Sequence, residues 1–183
     1  ARWAAFVPAA HTIAVCFSAV VAVPVIVVLL GVIWAVTRSA GQMLRGLAMA
    51  ALPMAVVGLI KTIVDRPRPS TARGALMPDP SFPSGHTACS VVVVSLALFA
   101  LQVIDVRIKD SRGLADTAPQ SSRPPLIWRV LRTVLTVILV VVPFVVALSR
   151  VIYGVHYPTD VCTSLVLTPV LVWCVYRLCD PAR

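Results

Sequence analysis

Residues 61–90 read KTIVDRPRPSTARGALMPDPSFPSGHTACS, a basic, proline-rich stretch between two apolar runs. This stretch contains four Lys or Arg side chains, five prolines and one histidine. A second polar patch, residues 149–160, reads SRVIYGVHYPTD and also adjoins apolar runs on both sides. Because proline ends or kinks helices, both patches predict the ends of apolar helices, with positive charge concentrated where the helices stop.

The overall composition is that of a membrane protein. The 183 residues are 59% hydrophobic and 13% charged, whereas soluble domains are about 25% charged, and the mean hydropathy is +0.94. Roughly 20 apolar residues cross a bilayer, and a soluble bundle would need polar helix faces that these runs lack. We predict an all-α, polytopic transmembrane helix bundle that forms one membrane domain over residues 1–183. Five predicted spans lie near residues 12–36, 43–61, 86–104, 127–148 and 160–178.

The first apolar run begins without a basic leader and is too long for the core of a signal peptide. We therefore expect that the sequence starts downstream of the N-terminus of the protein, with a sixth span upstream. The five cysteines show no C-x-x-C spacing and lie in or beside the predicted spans, which indicates packing rather than metal binding. Basic residues that flank spans account for the net charge of +9 without a nucleic-acid partner.

The distribution of basic residues predicts the orientation in the membrane, because short cytoplasmic loops gather Lys and Arg. The gaps and termini on one side hold Arg38, Arg45, Arg107, Lys109, Arg112, Arg123, Arg129, Arg132, Arg177 and Arg183. The other side holds Arg2, Lys61, Arg66, Arg68, Arg73 and Arg150. The first side has ten basic residues and the other has six, so we place the first side in the cytoplasm. It includes residues 105–125, which we interpret as a flexible loop. The composition, rich in Ala, Val and Arg, is typical of a high-GC bacterium, so we expect a bacterial plasma membrane.

This topology brings four helix ends together at the extracytoplasmic face. The ionisable residues gathered there are Lys61, Arg68, His86, Arg150, His156 and Asp160. Charged groups at membrane depth are costly and are functional candidates by default. Arginine matches phosphate oxygens with two parallel N–H groups. These helix ends therefore predict a site for a phosphate group.

The sequence FPSGHTA, residues 82–88, is typical of a helix start. Ser84 is a favourable N-cap, and Gly85 allows close approach to the backbone. The free N–H groups of such a first turn bind anions. The alternative is a plain helix cap with no ligand, but the neighbouring cations and His86 favour the anion site.

His156 and Asp160 lie four residues apart around Pro158, which suits a first helical turn. The carboxylate can accept from one ring nitrogen and leave the other free. A histidine held in this way can attack phosphorus, and His86 can protonate the departing oxygen. The alternative for each histidine is a structural role, which the presence of two such residues disfavours.

Three motifs carry a resemblance to a known family: Lys61-x6-Arg68-Pro69, Pro83-Ser84-Gly85-His86 and Ser149-Arg150-x5-His156-x3-Asp160. Together they resemble the signature of the type 2 phosphatidic acid phosphatases (PAP2), which vanadium haloperoxidases and bacterial acid phosphatases share. The resemblance implies a haloperoxidase-like helical core, usually with six membrane spans. It implies His156 as nucleophile, Asp160 as its orienting partner and His86 as general acid. Phosphate binding is implied for Lys61, Arg68, Ser84, Gly85 and Arg150.

No metal or other cofactor is implied. The predicted function is that of an integral-membrane phosphatase whose partner is a lipid with a phosphate or diphosphate headgroup, with polyprenyl diphosphate of the cell-wall carrier cycle preferred. Phosphatidylglycerol phosphate, phosphatidic acid and a prenyl-phospho-sugar are alternative substrates. A phosphotransferase would use the same site. An anion transporter is disfavoured because the predicted spans contain few polar residues. Arg66 and Arg73 lie outside the signature. A contact with a second phosphate, a contact with the lipid surface, and simple exposure to solvent are the alternatives for both side chains.

Overall fold

The computed structural model describes residues 4–70, 79–115 and 125–180. Within these residues the chain is helical, apart from turns and short connections, and contains no strand. A short 3-10 turn, Ala4–Phe6, precedes the first helix. The six α-helices are α1 (Val7–Cys16), α2 (Ala19–Thr37), α3 (Ala40–Val64), α4 (Gly85–Ala115), α5 (Leu126–Ile152) and α6 (Pro158–Leu178). The predicted all-α bundle is confirmed.

Helices α2 to α6 are each long and apolar enough to cross a membrane. The shortest, α2, has 19 residues, which corresponds to about 28 Å at the rise of an α-helix and so matches the hydrocarbon core. Large apolar side chains also cover the outside of the bundle, among them Val20, Ile63 and Trp173. Such a surface suits lipid, because lipid tails are as apolar as these side chains.

The first predicted span, residues 12–36, differs from the structure at its start. Ser18 has an extended backbone, with φ −70° and ψ 158°, so α2 begins only at Ala19. The preceding residues form the separate helix α1, which packs against α5. Serine is a favourable residue before a helix start, but a single serine within an apolar run gave no clear signal of a break.

The predicted loop at residues 105–125 is wrong in its first half. Helix α4 continues to Ala115, because Asp105 on α4 is held against the start of α5. Its carboxylate accepts hydrogen bonds from Trp128 Nε1 at 3.0 Å and Arg132 Nη1 at 2.7 Å. Lys109, one turn later on α4, lies 2.9 Å from the same carboxylate. Paired in this way, a buried carboxylate can extend a helix beyond its apolar segment.

Helix α4 is the centre of the bundle and packs against α2, α3, α5 and α6. Half of its membrane span is buried, compared with 11–28% for the other four spans. The buried cluster around it comprises Ile33, Met49, Ala50, Val92, Leu96, Phe99, Ala100 and Val172. The first turn of α4 is therefore fixed by the packing of the whole bundle.

The ends of α3 and α6 far from this first turn are clamped by Arg45. This guanidinium is 5% exposed and lies over the rings of Tyr176 at 3.9 Å and Phe99 at 5.7 Å. Its Nε donates to the Tyr176 carbonyl at 3.0 Å, and its Nη1 lies 3.4 Å from Asp180 Oδ1. Stacking and ionic partners together compensate for the burial of its charge.

We predict that Gly46→Val destabilises the bundle. A Cβ at Gly46 would lie 2.9 Å from Leu30 and 3.2 Å from Leu96, where α2 and α4 approach α3. Added volume in such a packed interface costs about 1–3 kcal/mol. The thermal unfolding midpoint in detergent should fall.

Gly58 is the matched control, because it lies on the same helix with nothing within 4 Å of its Cβ position. The variant Gly58→Val should unfold close to the wild-type temperature. Equal losses at both positions would contradict the packing argument.

Candidate active site

The polar segment after α3 sends neighbouring arginines in different directions. Asp65 ends the helix in the left-handed conformation, with φ 43°. Pro67 and Pro69 cannot continue a helix, so the chain leaves α3 in an extended form. Arg68 then donates to the Val155 carbonyl at 3.1 Å, while Arg66 reaches Asp160 at 2.9 Å. The segment thus connects the end of α3 to the turn between α5 and α6.

The predicted helix start at residues 84–86 is present. Ser84 is fully buried and directly precedes α4, and its hydroxyl accepts a hydrogen bond from Thr87 Oγ1 at 3.0 Å. A Cβ on Gly85 would meet only Lys61 Cε, at 3.8 Å. Glycine therefore leaves the space beside Lys61 open, and His86 lines the same cavity.

The predicted His156–Asp160 pair is also present. His156 Nδ1 lies 3.4 Å from Asp160 Oδ2, and both residues are buried. The same carboxylate oxygen accepts from the Tyr157 backbone N–H at 2.9 Å. The carboxylate is thus fixed by the first turn of α6 and holds one edge of the imidazole.

The other ring nitrogen, His156 Nε2, faces the cavity. It lies 3.5 Å from Arg68 Nη1, and a guanidinium can only donate. This arrangement fits a tautomer with the proton on Nδ1, toward Asp160, and an unprotonated Nε2 whose lone pair is turned toward Arg68. Burial, and then the charges of Arg68, Arg150 and Lys61, lower the pKa of His156 to about 3. The ring is therefore neutral near neutral pH, as a nitrogen nucleophile must be.

Arg150 is the most unusual charge at this end of the molecule. It is 1% exposed, and its Nε and Nη1 have no hydrogen-bond partner among the residues that the structure describes. The Tyr153 ring lies 5.6 Å from the guanidinium carbon. Burying such donors without an acceptor is costly. A bound anion would supply the missing acceptors.

Arg66 belongs to the site although the sequence motifs left it out. Its Nη1 donates to Asp160 Oδ1 at 2.9 Å and to Thr159 Oγ1 at 2.8 Å, and its guanidinium lies 4.0 Å from the centre of the Tyr157 ring. Of the alternatives for Arg66, the structure favours none: the side chain supports the carboxylate behind His156. Sequence alone gave no signal of these contacts, because residues two apart in an extended segment point to the same side, whereas Arg66 and Arg68 have different partners. Arg73 lies outside the described residues.

A cavity of about 260 Å³ lies at this end of the bundle. Its polar part is formed by Lys61, Arg68, Asp79, Gly85, His86 and His156, and its apolar part by Phe17, Ala19, Met54 and Cys89. Ala19 begins α2, and Met54 lies within α3. The cavity therefore presents cations and imidazoles beside an apolar wall of the bundle, as a phosphorylated lipid would require.

Comparison with known proteins identifies the family. The sequence matches the model of the PAP2 superfamily over residues 41–182. The chain belongs to the PAP2 superfamily. The three-motif resemblance is thereby confirmed, and PAP2 membership supports a membrane phosphatase that acts on lipid.

The fold of this PAP2 chain is similar to a solved structure described as the crystal structure of the first transmembrane PAP2 type phosphatidylglycerolphosphate phosphatase from Bacillus subtilis. The TM-score is 0.73 at 20% identity, over 96% of this chain and 77% of that chain. At this identity the similarity establishes a common fold. No curated protein matches the sequence.

We predict that Arg66→Gln lowers kcat by about tenfold or more, with little change in KM. This factor corresponds to the free energy of one hydrogen bond to a charged group. The variant removes the cation that faces Asp160 Oδ1 and so loosens the support of His156, but it leaves Lys61, Arg68 and Arg150 in place. Steady-state kinetics on a lipid phosphate measures both constants.

Arg177 is a suitable control because it is a cation on α6 that lies near Trp173 instead of the site. Arg177→Gln should retain wild-type kinetics. A rise in KM at constant kcat in Arg66→Gln would instead identify Arg66 as a substrate-binding residue.

Proposed function

We propose that this PAP2 chain is an integral-membrane hydrolase that removes phosphate from a lipid phosphate or diphosphate through a phospho-histidine. The observation that carries the proposal is the buried Arg150, with unpaired donors, beside a neutral histidine backed by Asp160. An anion would supply the acceptors that the guanidinium lacks, and the charge of Arg150 is near enough to act on His156. An anion-binding site with a nucleophile is what phosphoryl transfer needs.

The reaction follows from the placement of the two ring nitrogens of His156. Nε2 attacks phosphorus, and the P–N bond forms as the bond to the leaving oxygen breaks. That oxygen takes a proton from His86, the proposed general acid. Nδ1 keeps its proton, and Asp160 stabilises the positive phospho-imidazole. Water then attacks phosphorus, gives a proton to His86, and releases phosphate together with neutral His156.

Electrostatic stabilisation is assigned to Lys61, Arg68, Arg150 and the backbone at Ser84 and Gly85. Negative charge on the equatorial oxygens of the transferred group is the charge that preorganised donors stabilise. These cations supply what a divalent ion otherwise provides, so the proposed hydrolase is metal-independent.

The preferred substrate is polyprenyl diphosphate of the cell-wall carrier cycle. The apolar wall made by Phe17, Ala19 and Met54 supports a lipid that keeps its tail in the bilayer during the reaction. Phosphatidylglycerol phosphate is the second candidate, favoured by the named activity of the Bacillus subtilis structure. Phosphatidic acid and prenyl-phospho-sugar phosphates fit the same chemistry. A transferase would replace water by another acceptor.

His156→Ala tests the proposed function. Turnover of a lipid panel containing polyprenyl diphosphate, phosphatidylglycerol phosphate and phosphatidic acid should fall by at least about a hundredfold, because a missing nucleophile costs several orders of magnitude. Phosphate release is measured in detergent with a chelator present. The wild type should form an alkali-stable, acid-labile phosphoprotein that the variant lacks.

The matched control is His11→Ala, since His11 is exposed on α1 and has no role in the proposed reaction. A His156→Ala enzyme that stays folded and keeps more than about a hundredth of its activity would refute the nucleophile assignment. Loss of wild-type activity with the chelator, restored by a divalent ion on dispersed substrate, would refute metal independence.

The proposed location is a bacterial plasma membrane with the site on the extracytoplasmic side. Ten basic residues against six support this orientation, and the six include three cations of the proposed phosphate site. Outer-face access suits carrier recycling, because the carrier lipid releases its cargo outside the cell.

Cysteine labelling in intact cells tests the orientation. Single cysteines replace Ser70, beside the site, and Ser111, near the other end of α4, in a background without the five native cysteines. Both serines are exposed. An impermeant maleimide should label Ser70→Cys and spare Ser111→Cys. The reverse pattern would place the site in the cytoplasm, and labelling at both positions would contradict the span between them.

A further inference from the structure

The end of the bundle opposite the proposed active site holds a second group of cations. A cavity of about 390 Å³ between α4 and α5 is lined by Asp105, Lys109, Arg129 and Arg132. Asp105 lies about 30 Å along α4 from Gly85, at the rise of an α-helix. This distance is about the thickness of the hydrocarbon core, so the cavity lies at the other membrane surface from the PAP2 motifs.

The carboxylate in this cavity is already occupied. Asp105 Oδ1 accepts from Trp128 Nε1 at 3.0 Å, and Oδ2 lies 2.7 Å from Arg132 Nη1 and 2.9 Å from Lys109 Nζ. The Asp105 side chain is 7% exposed, whereas those of Lys109 and Arg132 are 48% and 41% exposed. A guanidinium and an ammonium each have several N–H donors. Both cations therefore keep donors that Asp105 does not use.

Positive charge is in excess around the cavity. Arg129 is exposed and forms no ion pair with a described residue. The three cations and one carboxylate of the lining leave an excess of two positive charges. Asp110, the next carboxylate along α4, lines a different cavity. The excess charge favours an anion, and a zwitterionic headgroup would find no unpaired carboxylate in this lining for its ammonium.

An apolar groove continues from the cationic cavity along α5. Val137 lines the cationic cavity and also a second cavity of about 350 Å³, so the two adjoin each other at this side chain. One face of α5, from Val137 to Val146, forms the second cavity together with Ile13 and Phe17 of the α1 region. We call it the α5 groove. It extends about 14 Å along the helix, which is about half of the hydrocarbon core and so the depth of one leaflet.

We propose that the cationic cavity and the α5 groove together bind an anionic phospholipid, with its phosphate among Lys109, Arg129 and Arg132 and one chain in the groove. Basic cavities between membrane helices bind anionic headgroups. Trp128 supports this depth, because tryptophan is enriched at membrane interfaces. A soluble phosphate would use the cations and leave the groove empty, so the groove is the observation that favours a lipid. This site is separate from the proposed active site and does not depend on the proposed function.

Arg129→Gln tests the cations of the lipid site. The purified full chain in detergent is titrated with phosphatidylglycerol or with phosphatidylcholine of the same chain length. Native mass spectrometry counts the lipids bound per chain, so a lipid in the catalytic cavity appears as an additional molecule. One Lys or Arg near a membrane surface corresponds to about fivefold in the binding of an anionic lipid. We expect Arg129→Gln to weaken one phosphatidylglycerol site by about this factor and to leave phosphatidylcholine binding unchanged.

The matched control is Arg107→Gln. Arg107 is exposed on α4 at the same end of the bundle but lines a different cavity. The variant therefore removes the same charge without touching the lipid site, and it should bind phosphatidylglycerol as the wild type does. Equal losses in both variants, or equal binding of the two lipids to the wild type, would overturn the proposal, because the attraction would then be general.

Val141→Trp tests whether a chain lies in the α5 groove. Val140 is the matched position, because the two valines are neighbours with 47% and 50% exposure and only Val141 lines the groove. The added ring in Val141→Trp should fill the groove and weaken phosphatidylglycerol binding severalfold, whereas Val140→Trp should bind the lipid normally. Unchanged binding in Val141→Trp would overturn the proposal.

Glycerophosphoglycerol, the headgroup of phosphatidylglycerol without its chains, separates a lipid from a soluble phosphate. At the concentration at which phosphatidylglycerol saturates the chain, it should not displace the lipid whose binding depends on Arg129, because it gains no contacts in the groove. Displacement of that lipid at this concentration would overturn the assignment to a phospholipid and would identify a site for soluble phosphates.

Discussion

Asp160 connects more of this molecule than any other polar residue at the site end of the bundle. It is fully buried, and each of its acceptor atoms has a partner. Oδ1 accepts from Arg66, Oδ2 from the Tyr157 N–H and the His156 ring, and the main-chain carbonyl from the Ser84 N–H at 3.2 Å. One residue thereby links the segment after α3 with the first turns of α4 and α6. A buried charge that is fully partnered holds its neighbours in a single arrangement.

The charged residues around the site give it a net positive charge. Lys61 and Arg68 pair with Asp79, and Arg66 pairs with Asp160. Arg150 has no ion pair among the described residues. Asp160 is paired with Arg66 and His156. Among the described residues, Asp79 pairs with Lys61 and Arg68, two cations of the proposed phosphate site. Among these described residues, four cations and two carboxylates leave an excess of two positive charges, close to the charge of a phosphate dianion. On the proposed function, a bound phosphate group would balance this excess.

Sequence patterns predicted the spans and the residues that meet at their ends, because apolar length and short motifs are local properties. The motif residues of the second and third motifs lie at the helix ends, as predicted: Ser84, Gly85, His86, Arg150, His156 and Asp160. Their roles in the reaction stay predictions. The break at Ser18 and the extension of α4 to Ala115 were not predicted. Both depend on contacts with α5, which lies far along the chain. The ion pairs of Arg66 and Asp79 were missed because these two residues lie outside the motifs, although their partners Asp160, Lys61 and Arg68 lie within them.

Two buried arginines in this bundle differ in whether the protein supplies acceptors for their donors. Arg45 stacks on Tyr176 and Phe99 and donates to a backbone carbonyl, so its burial joins α3 to α6. Arg150 is buried more deeply, yet its Nε and Nη1 have no acceptor within the described residues. A buried charge without acceptors is costly and marks a candidate functional site. If an anion binds there, as the proposed function requires, it supplies the acceptors that Arg150 lacks in the free protein. That difference between free and bound states would make Arg150 a determinant of affinity.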